Sequence, residues 1–349
     1  MASFNFNKWN NILGWFAFAI ALITYSLTVE PTLSFWDCGE YISTAAKLQI
    51  GHPPGAPLFQ MIGAFFAMFA FSPDKIALMV NMMSVFSSAF TILFLFWSLT
   101  ILLKKIIPTS LEQDNGNSIM VLGSALIASL AFTYTDSFWY NATEAEVYAM
   151  ASLFIALLLW LGLRWEQEMD SPRGNRWLVL ISLVIGLSFG AHFMALLTIP
   201  SIGLLYYFKK YKEITLKNFI VANVVVVVIL FFVFKFLLPY TLSFFGKTEI
   251  FMVNTFGLPF NSGTIFAFLL IVGFFYFGLN YTRKKGQVFY NTILLCLLFI
   301  LIGFSTWIML PIRANTDIPI NENKPSDAAE VLAYYNREQY GEQKTFYGP

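Results

Sequence analysis

Apolar runs of about 20 residues recur along this chain, and no other feature narrows its fold so sharply. That is the length an α-helix needs to cross about 30 Å of hydrocarbon. A bilayer offers backbone amides no water, so spanning elements are helices or a closed barrel. The runs here are continuous rather than alternating, which excludes the barrel. With 58% hydrophobic and 12% charged residues, the sequence describes an all-α polytopic membrane protein and not a soluble globule. A net charge of +1 gives no sign of a nucleic-acid partner. Cys38 lies in a polar stretch and Cys296 deep in an apolar run, so the two are not placed to form a disulfide.

Apolar segments fall at 12–29, 56–71, 76–103, 118–135, 147–163, 177–190, 193–208, 218–240, 263–281 and 287–310. The first reads as a retained signal anchor, because its small-residue sites lie inside the apolar core. Lys and Arg concentrate in four joints, "KKIIPTSLEQDNGN", "RWEQEMDSPRGNR", "KKYKEITLK" and "TRKKGQ", and positive joints mark the cytoplasmic face. All four share that face only if 56–71 does not cross, so that segment reads as an interfacial or re-entrant helix on the outer side. Nine crossings result, or ten if 56–71 spans. In the nine-crossing arrangement the cytoplasmic side holds 13 of 21 Lys/Arg and only 6 of 20 Asp/Glu. Segments 177–190 and 193–208 are short and form a hairpin with His192 at its outer tip. Residues 1–310 are thus a membrane domain, with a first outer loop at 30–75. Residues 311–349 form a polar outer tail that reads as the start of a longer C-terminal region.

Ionisable residues are nearly absent from the crossings, Lys235 being the exception near the outer end of its helix, where its stem can snorkel. Polar chemistry gathers instead on the outer side. Asp37, Glu40 and His52 lie in the first loop, Asp136, Glu144 and Glu146 in the second, His192 at the hairpin tip, and Arg313 after the last crossing. A site at the membrane boundary suits a substrate with a lipid tail and a polar head. Each residue also has an ordinary structural role open to it. Asp37 could cap the helix after it, Glu40 could sit on a first helical turn, "HPPG" could be a rigid turn, and Arg313 could anchor to headgroups.

An acidic first loop followed by "HPP" and an apolar helix resembles the GT-C glycosyltransferases, especially the protein O-mannosyltransferases. A closer likeness covers nearly the whole chain. "FWDCGEYISTAAKLQIGHPPGAPLF", "NATEAEVYAM", "GLSFGAHFMALLTIP", "RANTDIPINENKP" and "NREQYGEQKTFYGP" resemble a family whose vertebrate member is an endoplasmic-reticulum O-mannosyltransferase acting on IPT domains of plexins. Its many bacterial relatives are of the Bacteroidota type. The resemblance implies a GT-C-like transmembrane helix bundle and a sugar donor linked to a polyprenyl phosphate. It implies secreted or envelope acceptor proteins, modified on a Ser/Thr hydroxyl. The setting it implies is a bacterial inner membrane with the site facing the periplasm, or the endoplasmic-reticulum lumen in a eukaryote. Asp37 then matches the first-loop general base of an inverting displacement. Glu40 would orient Asp37 or the acceptor, and Arg313, with His192 or Lys235, would stabilise the departing phosphate. No metal-ligand spacing is visible and no cofactor is expected; Glu144 and Glu146 are the pair a divalent metal would use.

Two other function classes compete. A transporter or flippase of lipid-linked precursors needs polar residues lining a path through the membrane, and the crossings lack them. A non-catalytic scaffold for envelope assembly needs only the fold.

Overall fold

The structure is a computed structural model and describes residues 5–107 and 115–341. Part of the first basic joint and the end of the last tail motif lie outside the described residues. Fifteen α-helices are described: α1 Phe6–Thr28, α2 Cys38–Lys47, α3 Pro57–Ala67, α4 Ile76–Ile106, α5 Asn115–Thr133, α6 Asp136–Ala142, α7 Val147–Glu168, α8 Asn175–Ser188, α9 Thr198–Lys210, α10 Leu216–Phe231, α11 Leu238–Phe256, α12 Ser262–Lys284, α13 Val288–Phe304, α14 Met309–Ala314 and α15 Ala328–Tyr335. Among the described residues the only β-type pairing is an isolated bridge between Ile50 and Asn321. Seven helical stretches are long and apolar enough to cross a membrane, with α10 and α11 counted as one stretch, Leu216–Phe256. The protein is an all-α polytopic membrane protein.

Ion pairs and close packing fix which helix ends lie together. Glu166, near the end of α7, is buried and meets Lys105 of α4 at 2.6 Å and Lys209 of α9 at 3.6 Å. Glu168 takes Arg176 of α8 at 2.7 Å. These contacts gather three of the four basic joints at one end of the bundle. At the other end Asn81 of α4 donates to the carbonyls of Glu30 and Thr32 after α1, and the Tyr25 hydroxyl donates to the carbonyl of Thr133. The short helices α8 and α9 pack in the same bundle as the seven long stretches, α8 starting and α9 ending beside α7, where Arg176 meets Glu168 and Lys209 meets Glu166. Helix α3 has 11 residues, about 16 Å at 1.5 Å per residue, and stays at the end opposite the basic joints. There Gly63 packs on Ala45 of α2 and Val80 of α4.

Helices α8 and α13 run parallel in near contact of their backbones. Asn175 donates to Thr292 at one end, and Gly186 meets Ile300 and Gly303 at the other. A Cβ on Gly186 would lie 2.1 Å from the Ile300 carbonyl oxygen, and one on Gly303 would lie 2.5 Å from that of Leu183. Small residues permit this approach, the usual basis of tight packing between membrane helices. Gly186→Ala must push one backbone away. The expected result is a loss of roughly 1–3 kcal/mol, read as a lower Tm in detergent, whereas Gly273→Ala, whose Cβ would meet nothing within 4 Å, should be neutral.

One expectation fails in the second half. The apolar pattern ends a span at 240 and leaves 241–262 as a loop. The structure instead carries the helix on to Phe256, through a π-helical turn at Phe232–Leu237. Pro239 explains the turn: it brings no N–H, and its ring would clash with a carbonyl one α-turn back, a conflict that a wider turn relieves. Lys235 therefore sits within a long continuous helical stretch, not near its end, with its ammonium 4.8 Å from the centroid of the Phe234 ring.

Candidate active site

The first loop is built by a few local choices. Trp36 takes a left-handed backbone conformation (φ 63°), and α2 starts two residues later. Asp37 occupies the cap position of α2 yet makes no capping hydrogen bond with its side chain, which is 56% exposed. One turn on, Glu40 reaches across to the "GHPPG" segment. Its Oε1 accepts the backbone N–H of His52 at 2.6 Å, and its two oxygens lie 3.1 and 3.0 Å from His52 Nδ1. A Cβ on Gly51 would fall 2.2 Å from Glu40 Oε1, so the carboxylate can close on the loop only because residue 51 is glycine. With Nδ1 held by Glu40, His52 turns Nε2 towards Asp37, 3.9 Å from Oδ2. The result is a carboxylate–imidazole–carboxylate series with Asp37 at its open end.

Electrostatics follow from this geometry. The hydrogen bond to Glu40 raises the His52 pKa, helped by the charges of Glu40, Asp37 and Glu322 and opposed by burial. Burial alone would raise the pKa of Glu40, but the hydrogen bonds and charge of His52 outweigh it and hold the carboxyl below its ordinary range. The pair therefore stays charged over a wider pH range than either group would alone.

The second loop brings Glu144 and Glu146, both buried, to the base of α2. Cys38, fully buried, donates its Sγ–H to Glu146 Oε1 at 3.5 Å. Burial pushes the Glu146 pKa up to about 7, and the charges of Asp37 and Glu144 add to the shift. His192 lies at the tip between α8 and α9, where its Nδ1 accepts the N–H of Met194 at 3.1 Å and its ring lies 5.4 Å from that of Tyr148. Burial lowers its pKa, which leaves it neutral near pH 7. It adjoins the loop through Gly190, whose carbonyl accepts the N–H groups of Leu58 and Phe59 at 2.7 and 3.1 Å. Among the described residues no hydrogen bond joins His192 to Asp37, Glu40 or His52.

Arg313 is engaged at the end of α2. Its Nε donates to the carbonyl of Leu48 at 2.6 Å and one Nη to that of Lys47 at 3.1 Å. The last carbonyls of a helix lack partners within it, and a guanidinium satisfies them well. Arg313 closes the far end of α2, away from Asp37. Lys235, on its separate π-turn, is bound to neither loop by any hydrogen bond or ion pair among the described residues.

The structure adds two residues that the sequence did not single out. After α14 the chain runs beside the first loop, with the Ile50 N–H donating to the Ile320 carbonyl and the Glu322 N–H to that of Ile50, both at 3.1 Å. Glu322 thereby comes near Glu40 and His52, and burial followed by the Glu40 charge raises its own pKa. Tyr334 of α15 is buried against Gly51, His52 and Gly55. Asp37, Glu40 and His52 also bring ligand-type atoms within 4.8 Å of one another. Within the group, His52 Nδ1 and the His52 N–H are both given to Glu40, while His52 Nε2 and the Asp37 carboxylate face each other without a hydrogen bond.

A family model described as the protein O-mannosyl-transferase TMEM260 N-terminal domain matches residues 37–215, about half of the chain, beginning at Asp37. The chain is 27% identical over 199 residues to the protein O-mannosyl-transferase tmem260 of Dictyostelium discoideum, across 52% of this chain and 22% of that protein. It is 26% identical over 202 residues to the protein O-mannosyl-transferase TMEM260 of Mus musculus, across 57% of this chain and 26% of the relative. The matched region thus spans about a quarter of the length of these curated relatives. No solved structure matches the chain. By the match from Asp37 through the second loop and His192, the chain belongs to the family of the protein O-mannosyl-transferase TMEM260 N-terminal domain.

Proposed function

We propose that this chain is a GT-C-type glycosyltransferase that moves mannose from a polyprenyl-phosphate donor to a Ser/Thr hydroxyl of a secreted or envelope protein. The observation that carries the reading is the exposed Asp37 carboxylate, set 3.9 Å from an imidazole that Glu40 holds in place. Asp37 takes the proton of the acceptor hydroxyl as its oxygen attacks the anomeric carbon. The bond from that carbon to the phosphate oxygen breaks on the opposite side, and polyprenyl phosphate departs with the electron pair. One displacement inverts the anomeric centre. His52, which its pairing with Glu40 makes easier to protonate, offsets negative charge when cationic as the donor's phosphate approaches a loop rich in carboxylates. The basic joints at the opposite end face the cytoplasm on this reading, so the site faces the periplasm, or the lumen in a eukaryote. The names of the matched relatives support the sugar and the reaction class.

The test is transfer of labelled mannose from polyprenyl-phosphate mannose to a Ser/Thr-containing acceptor by the purified chain in detergent. Incorporation that is stable to organic extraction and released by an α- but not a β-mannosidase, from a β-linked donor, is the expected result. Transfer only to lipid, or none to protein, would overturn the reading. Because the imidazole already neutralises Glu40, EDTA should change the rate by less than about twofold. Activity abolished by EDTA and restored by manganese would recast the first-loop carboxylates as metal ligands.

A further inference from the structure

We propose that Tyr334 is a positioning residue for His52, acting from the segment that follows the last span. Its ring is only 1% exposed, and its hydroxyl proton is shared between the carbonyl oxygens of Gly51 and His52, the latter at 3.2 Å. These are the two carbonyls on either side of the His52 α-carbon. The His52 N–H is held by Glu40 at 2.6 Å, and the His52 carbonyl also accepts the Gly55 N–H at 2.9 Å. Both peptide groups of His52 are therefore fixed, which leaves only its side-chain torsions to place Nδ1 on Glu40.

The approach requires Gly55. That residue has φ +74°, and a Cβ there would lie 2.7 Å from the Tyr334 ring and hydroxyl. The rest of the segment closes on the same loop, with the Ile320 N–H donating to Gln49 Oε1 at 2.7 Å and Arg313 closing the end of α2. These residues lie beyond the 37–215 region matched by the family model, so the site includes a wall which that match does not cover. The charged groups facing His52 are Asp37 and Glu40 from α2 and Glu322 from the tail segment, and the Tyr41 ring lies 5.9 Å from the imidazole.

The chain has only two histidines, which makes a direct test practical. Selective ¹⁵N-histidine labelling of the full chain gives two imidazoles to follow, assigned with a His192→Gln sample. Tyr334→Phe keeps the ring in the Gly55 hollow and removes the hydroxyl. The expected result is a shifted or broadened His52 Nδ1 resonance with the His192 signals unchanged and the fold retained, Tm falling by no more than about the worth of one hydrogen bond. Tyr335→Phe is the control: that neighbour donates to the carbonyl of Phe234 at 3.1 Å, so its loss should leave His52 unmoved. Gly55→Ala, which displaces the Tyr334 hydroxyl without removing it, should move His52 as Tyr334→Phe does. The kinetic arm rests on the transferase reading: kcat should fall roughly three- to tenfold, the worth of one hydrogen bond, with KM for the acceptor unchanged. A His52 spectrum in Tyr334→Phe that superimposes on the wild type would overturn the proposal, whether or not transfer is detected.

Discussion

Asp37→Asn should lower mannosyl transfer by a factor of about 10² to 10⁴, the usual contribution of a positioned general base, with no measurable change in Tm. The substitution keeps the size and one oxygen and removes the proton acceptor. A capping role would give another pattern, with Asn tolerated and Ala destabilising by roughly 1 kcal/mol. The structure argues against capping, because Asp37 makes no side-chain bond to the first turn of α2 and is more than half exposed. Asp37→Ala should therefore match Asp37→Asn in both activity and stability. Donor binding should persist in both, since the hydrogen bonds between Glu40 and His52 remain, although His52 loses the nearby Asp37 charge. Wild-type transfer by Asp37→Asn would move the base elsewhere. Glu40 would not be the replacement, because its oxygens are engaged with His52, and Glu146 could accept the proton only in the fraction that is ionised, its pKa being held at about 7.

The spans were legible because the signal that makes them is local. A run of about 20 apolar residues commits a segment to the bilayer whatever its neighbours do. The basic joints separate the two ends of the bundle in the same local way, and the ion pairs of Glu166 and Glu168 bring the first three of them together. Composition could not show that the helix after Leu216 continues past 240. Polar residues such as Lys247 and Glu249 read as a loop, although Glu249 in fact accepts the N–H groups of Asn261 and Thr264 and ties α11 to the start of α12. In the site, the residue types were legible and their pairings were not. Glu40 and His52 are 12 positions apart, and their contact depends on Gly51 lacking a side chain. Arg313 looked free because the carbonyls it satisfies belong to residues 47 and 48, far earlier in the chain. Tyr334 and Glu322 carried no signal of their own. Only the closure of the last segment onto the first loop gives them a place.

Glu146 gives the second large effect, and its sign is fixed by the direction of its shift. Burial against Cys38 and the second loop holds its pKa at about 7, against an ordinary value of 4.5. Below pH 4.5 the carboxyl is protonated folded and unfolded alike and contributes nothing to pH dependence. Between about 4.5 and 7 the unfolded chain ionises while the folded one keeps its proton, so wild-type stability declines. Above 7 both forms are charged and the penalty levels off, with Asp37 and Glu144 close by to repel the new charge. The full penalty is at most on the order of 3 kcal/mol and smaller where water reaches the carboxyl. Glu146→Gln carries no such titration and keeps an oxygen for the Cys38 thiol. Its Tm should match the wild type at pH 4.5 and exceed it at pH 8, the gap opening between those values. Thermal unfolding of both proteins in one detergent across that range reads the difference directly. A gap that stays constant with pH would mean that Glu146 ionises in the folded protein as an ordinary solvated carboxylate and that its burial carries no such penalty.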